Sequence, residues 1–158
     1  MKPTILALCC SLVSLSAGAG DLPGPDTPGA INPAVTQDNI HQTICVSGWT
    51  KTVRPPVSYT NKLKATQMKA LGMNIAPNLA EEDHRIPLEC AGHPTDPRNL
   101  SPELWDGPYG AHVKDVTESY EKRRVCLGQI TLAQCQAIFM GDWRTEYDRV
   151  YGPRGPKN

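Results

Sequence analysis

A chain of 158 residues has the length of one domain with short extensions. Its 16 basic and 16 acidic side chains cancel, which argues against avid, unspecific nucleic-acid binding, since that usually shows as a basic excess. Past residue 19 no stretch is apolar enough to cross a bilayer, so the sequence leads us to expect an exported, soluble mature chain, secreted or periplasmic.

Residues 1–19 have the order of a secretory signal peptide: Lys2, then an apolar run from Ile5 to Val13, then the small residues Ala17, Gly18 and Ala19. Cys9 and Cys10 lie inside that run and would leave with it. Four cysteines remain, Cys45, Cys90, Cys126 and Cys135, an even number in a compartment that permits disulfides. Sequence alone allows three pairings. Cys135 falls on the apolar face of a helix and Cys126 just before an interhelix turn, so these two are not expected to join. The preferred pairing is Cys45 to Cys126 and Cys90 to Cys135. No close Cys/His spacing suggests zinc.

Residues 20–37, rich in Pro and Gly, are expected to be a flexible lead, with a domain over 38–152 and a tail over 153–158. Ile40 to Val46 is a β-prone run. Arg54-Pro55-Pro56 forces extended chain. Thr60 is a candidate N-cap for a helix through Leu71, stopped by Gly72. Glu82 to Leu88 reads as a strand, a Pro/Gly loop follows, and Asn99-Leu100 begins the return. Ala111 to Leu127 is a predicted helix with Val113, Val116 and Tyr120 at helical spacing. Thr131 opens a capping box, and one apolar face then runs from Leu132 through Phe139 and Trp143 to Val150. The expected class is α+β.

Charge is unevenly spread. Between Asn39 and Ala80 there is no acid, while Lys51, Arg54, Lys62, Lys64 and Lys69 are present; the acids resume at Glu81-Glu82-Asp83. A basic flank beside an acidic centre suits an anionic substrate, and it equally suits a solvated surface. Arg54 is a candidate phosphate contact on this reading, or an exposed structural arginine.

The stretch with most chemistry is Glu82-Asp83-His84-Arg85-Ile86-Pro87-Leu88, followed by Asp96-Pro97-Arg98-Asn99-Leu100. A carboxylate and an amide oxygen are hard ligands of the kind magnesium or manganese takes. A neutral imidazole, with an ordinary pKa of about 6.5, can take a proton from water. Adjacent strand residues face opposite ways, so Asp83 and His84 diverge unless the strand ends or bulges there.

Asp-His-x-Ile-Pro-Leu, a Gly-containing turn and Asp-x-x-Asn-Leu together resemble the core of HNH nucleases, the ββα-metal fold. The resemblance implies a small ββα core with additional packed helices, here braced by disulfides. It also implies a metal-dependent endonuclease acting on nucleic acid, with magnesium or manganese as the cofactor. Asp83 would be a metal ligand and His84 the general base. Asn99 would be a second ligand or a residue that fixes the loop and orients the base. His112 would supply the helix ligand, with Asp115 as a second candidate. A wider stretch, from about residue 32 to 151, resembles a group of exported bacterial proteins; where they usually have Gly-Gly, this chain has Ala91-Gly92. The alternative expectation is a secreted structural or interaction domain that keeps the ββα scaffold without turnover.

Overall fold

The computed structural model describes residues 27–154. The signal-peptide segment with Cys9 and Cys10, the first part of the expected lead and the last four residues of the tail lie outside the described residues. Five α-helices and two strands follow in the order α1 (Trp49–Val53), α2 (Val57–Ala70), β1 (Ala80–His84), β2 (Leu100–Leu104), α3 (Ala111–Cys126), α4 (Leu132–Met140) and α5 (Trp143–Tyr151). The class is mixed helix and sheet. Among these residues no helix is long and apolar enough to cross a membrane.

The two strands pair antiparallel, with Ala80 opposite Leu104, Glu82 opposite Pro102 and His84 opposite Leu100. β1 is shorter than the sequence suggests. It ends at His84, because Pro87 and a 3-10 turn at Leu88–Cys90 take the chain out of the ladder. Side-chain alternation gives the hairpin two faces. Ala80, Glu82 and His84 share one, and Glu81 and Asp83 share the other. α2 lies along the first face and reaches it through polar groups. Lys64 Nζ donates to the Ala80 carbonyl at 2.7 Å and Gln67 Nε2 to the Leu100 carbonyl at 3.0 Å. α3 covers the second face by way of Lys114.

Several expected elements change at their ends. Helix α2 begins at Val57, directly after Pro56, so Thr60 is an interior residue and not the cap. A proline before the first turn removes no needed hydrogen bond and presets the chain direction. The β-prone run at Ile40 forms no strand. A 3-10 turn at Gln37–Gln42 and the turns after it bury Ile40 and Ile44, which lie four residues apart. The single C-terminal helix is two helices. Gly141 ends α4, and Asp142 caps α5 by accepting from the Arg144 N–H at 3.1 Å.

The expected lead is partly folded. Gly29 N–H donates to the Arg98 carbonyl at 2.9 Å, Asn32 N–H to Ala91 at 2.8 Å, and Ala30 accepts from His93 N–H at 2.7 Å. Gly29 has a φ of 91°, and a Cβ there would stand 3.0 Å from Ile86 Cδ1. The glycine therefore lets this segment lie flat on the loop between the strands.

The apolar core lies away from the hairpin. Val35, Ile40, Ile44, Val113, Val125, Leu132, Phe139, Trp143 and Tyr147 form it, and the hairpin loop adds Ile86, Cys90 and Ala91. Two disulfides cross this region: Cys45 with Cys126, and Cys90 with Cys135, with Cα atoms 5.6 and 5.7 Å apart. The second ties the inter-strand loop to α4. Two bridges fit an oxidising, extracellular setting.

Candidate functional site

The sequence constellation falls at the end of β1, in the loop from 85 to 99, and at the start of α3. Asn99 is fully buried and organises the loop. Its Oδ1 accepts from the Ile86 N–H at 2.9 Å and the Ala30 N–H at 3.3 Å. Its Nδ2 donates to the Ile86 and His93 carbonyls, both at 3.0 Å. One short side chain thus mimics a strand partner for Ile86 and joins three segments. Every polar atom of Asn99 is committed to backbone. Of the two roles the resemblance offers, this geometry is that of the loop-fixing residue.

Gly92 makes the joint possible. A Cβ on it would lie 1.7 Å from the Ile86 carbonyl oxygen and 2.8 Å from Asn99 Nδ2. Its neighbour Ala91 adopts φ 61°, ψ 36° in the left-handed region and is buried in the core. His93 is a turn acceptor: its Nδ1 receives the Asp96 N–H at 3.0 Å and the Thr95 N–H at 3.3 Å.

His84 is 3% exposed. Its Nε2 lies 3.0 Å from the Pro94 carbonyl, which accepts, so Nε2 carries the proton. Burial lowers its pKa below the ordinary histidine value; the Asp83 charge and the Pro94 bond offset only part of this. The imidazole is therefore neutral at pH 7.

Asp83 faces the other way, toward α3. Its Oδ1 accepts the His84 N–H at 2.7 Å, and its Oδ2 accepts from the Lys114 ammonium. Lys114 is 1% exposed. Its Nζ also donates to the His84 carbonyl at 2.7 Å and stands 3.2 Å from Glu118 and 3.7 Å from Glu103. Burial disfavours the ammonium, but Asp83, Glu118 and Glu103 outweigh it, and its pKa is raised. For Asp83, burial would raise the pKa; Lys114 overrides this and holds the carboxyl below its usual range.

The other acids go the opposite way. Burial, reinforced by Asp83, pushes Glu103 and Glu81 up to about 8, and Glu118 rises well above its ordinary value. One cation cannot balance four clustered carboxylates, so the surplus groups hold protons. Glu103 accordingly shares a hydrogen bond with Asp83.

His112 is on the outside. It stacks on Trp105 with ring centroids 5.2 Å apart, and its Nε2 is 4.0 Å from the exposed Asp106. Asp115, the other helix candidate, is exposed. Arg54 borders a different cleft, between α2 and β1.

The side chains expected around one cation are therefore each engaged elsewhere: Asp83 by Lys114, Asn99 by backbone, His112 by Trp105. Among the described residues no group of three or more His, Cys, Asp or Glu side chains is arranged to hold a metal ion. This arrangement does not fit a bound magnesium or manganese, and no step is derived through one.

Sequence reasoning missed Lys114, Glu103 and Glu118. A signal was present in α3. Ala111, Lys114, Thr117, Glu118, Glu121 and Val125 recur at helical spacing and are all buried, whereas Val116 is 42% exposed. Polar residues were the ones facing inward. Comparison of the chain with family models, with curated proteins and with solved structures gives no match.

Proposed function

We propose that this chain is an exported, disulfide-braced ββα domain that works by binding or bracing, without hydrolytic turnover. The observation that carries this reading is the Lys114 ammonium seated among Asp83, Glu103 and Glu118. A covalently attached cation pairs with Asp83 while Glu103 and Glu118 are biased toward holding protons, which weakens the cluster's attraction for a metal, and the ammonium cannot polarise a phosphate while it is 1% exposed. The site then serves as a buried ionic joint between hairpin and helix.

A metal-dependent HNH-type nuclease is the second reading, and one observation favours it. His84 is a neutral imidazole at the end of β1, on a loop held by Asn99, which is the state a general base needs. Under this reading Lys114 must leave Asp83 before a metal binds.

Incubating the purified mature protein with plasmid DNA or with RNA, in magnesium or manganese, separates the two. The scaffold reading expects no cleavage above background, identical behaviour of His84→Ala, and a melting temperature that a chelator leaves unchanged. Metal-dependent cutting that His84→Ala reduces by roughly 10²–10⁴ establishes the nuclease instead.

A further inference from the structure

A cleft opens beside the start of β1, between that strand, the beginning of α2 and Trp105. Arg54, Thr60, Asn61, Asn78, Glu81 and Trp105 line it, and it encloses about 420 Å³, within the small-ligand range of about 300–1,000 Å³.

Most of the charge around the cleft is already spent. Lys64, also in its wall, donates from Nζ to the Pro77 carbonyl at 2.8 Å and the Ala80 carbonyl at 2.7 Å. Glu82 turns its carboxyl oxygens into the protein, where no solvent reaches them. Burial, reinforced by Asp83 and Asp115, pushes the Glu81 pKa up to about 8, so at neutral pH this carboxyl is an uncharged donor and acceptor. The remaining charge is Arg54, which is exposed and makes no hydrogen bond or ion pair with the described residues. One exposed guanidinium by itself is a weak hold on an anion.

What the cleft offers in quantity is uncharged hydrogen bonding. The Asn61 and Asn78 side chains are exposed and make no hydrogen bond with the described residues. Each carboxamide brings donors and an acceptor oxygen in one plane. The Thr60 hydroxyl donates to the Val57 carbonyl at 3.2 Å and keeps its lone pairs. Trp105 adds a flat apolar surface: it is half-buried, its indole N–H has no partner among the described residues, and its ring is steadied on His112, with centroids 5.2 Å apart.

We infer that this cleft binds a neutral saccharide of one or two rings, with a sugar ring along Trp105 and its hydroxyls shared among Asn61, Asn78 and Arg54. A pyranose has an apolar C–H face, which suits the negative face of an indole, and a rim of hydroxyls that both donate and accept. Planar amide and guanidinium groups can serve neighbouring hydroxyls together. A simple anion would use Arg54 alone, and an apolar ligand would cover the two carboxamides without replacing the water they lose. The site does not depend on whether the hairpin hydrolyses anything.

Amide-detected NMR on the isotopically labelled mature protein tests this, with glucose, galactose, N-acetylglucosamine, cellobiose and maltose as probes and glycerol and inorganic phosphate as controls. At least one saccharide is expected to saturate with Kd of about 10 mM or tighter, shifting the Trp105 indole and the Asn61 and Asn78 side-chain amides, with both controls at least about tenfold weaker. Trp105→Ala should weaken that binding about tenfold, and so should Asn61→Ala combined with Asn78→Ala. The inference is overturned if no saccharide saturates with Kd of about 10 mM or tighter, if the shifts fall outside the cleft, if glycerol or phosphate binds as well, or if a folded variant binds like the parent. Should Trp105→Ala not fold, the exposed Asn61 and Asn78 pair decides in its place.

Discussion

Around the disulfides the buried side chains are apolar, with Ile44, Val125, Leu132, Phe139 and Trp143 in one cluster, whereas behind the hairpin they are His84, Asn99, Ser101, Lys114 and Glu118. The first region gains from water expelled by non-directional contact, so neighbouring hydrophobes of similar volume can replace one another. The second depends on each polar group meeting a specific partner, so losing one member strands the others. The inter-strand loop joins the two, since Ile86 and Cys90 enter the apolar cluster while Asn99 anchors the polar side. A hairpin of two five-residue strands buries too little by itself, and here it is held by ionic and amide joints.

The largest effect is expected on the apolar side. The bridges close sequence separations of 81 and 45 residues, for which chain entropy assigns about 4 kcal/mol each. Urea titrations with and without reductant should show the reduced protein unfolding at far lower urea. Coincident curves would mean that the apolar cluster alone carries this half.

Next is Lys114→Met, which leaves Asp83, Glu103 and Glu118 buried around a missing cation. A loss of about 3–5 kcal/mol is expected in denaturant titration, and replacing the three acids by leucine in the same chain should recover most of it. A small loss from the single change would show that Asp83 too is neutral and that the joint is not ionic.

Asn99→Ala should cost about 3 kcal/mol, because the Ile86 N–H and carbonyl both lose their partner inside the protein. Hydrogen exchange at Ile86 would report the opening directly. A fast-exchanging Ile86 amide in the wild type would contradict the clamp. Gly92→Ala is expected to disrupt the same joint at least as severely, by steric overlap with the Ile86 carbonyl.

The remaining effect concerns pH. Folded-state pKa values of about 8 for Glu81, Glu82 and Glu103, against ordinary values of 4.5, mean that the native protein keeps protons the unfolded chain releases. Stability should therefore fall as pH rises from about 4.5 through 8. Asp83 opposes this only at the acid end, where its lowered pKa removes stability as pH drops below its ordinary range. Melting temperatures should be higher at pH 5.5 than at pH 8.5. The reverse order would place ionised, well-paired acids behind the hairpin.

Much of the architecture was legible because it is written in local signals. Gly72, Gly128 and the capping box at Thr131 mark helix ends through φ restriction and backbone hydrogen bonding over a few residues, whereas the start after Pro56 was placed too late, at Thr60. Gly141-Asp142 carried an equally local stop and start, but the apolar periodicity running through it suggested one helix. The motif from Asp83 to Asn99 located the hairpin and its loop. The expected lead was misjudged in part, because its Pro/Gly composition reads as unable to bury anything, whereas Gly29 uses the missing side chain to pack against Ile86.

Sequence by itself determined the mixed helix-and-sheet class, the hairpin, the long helix after it and the four cysteines that pair, since each depends on residue type and short-range spacing. Only the tertiary structure decided which partner each polar side chain takes. Lys114 reaches Asp83 from 31 residues away, and Glu103 joins it from a strand that meets the helix only in the folded chain, whereas Glu118 lies one turn on in the same helix. Burial strengthens these charges and shifts their protons, and burial is a property of packing that no short stretch of sequence contains.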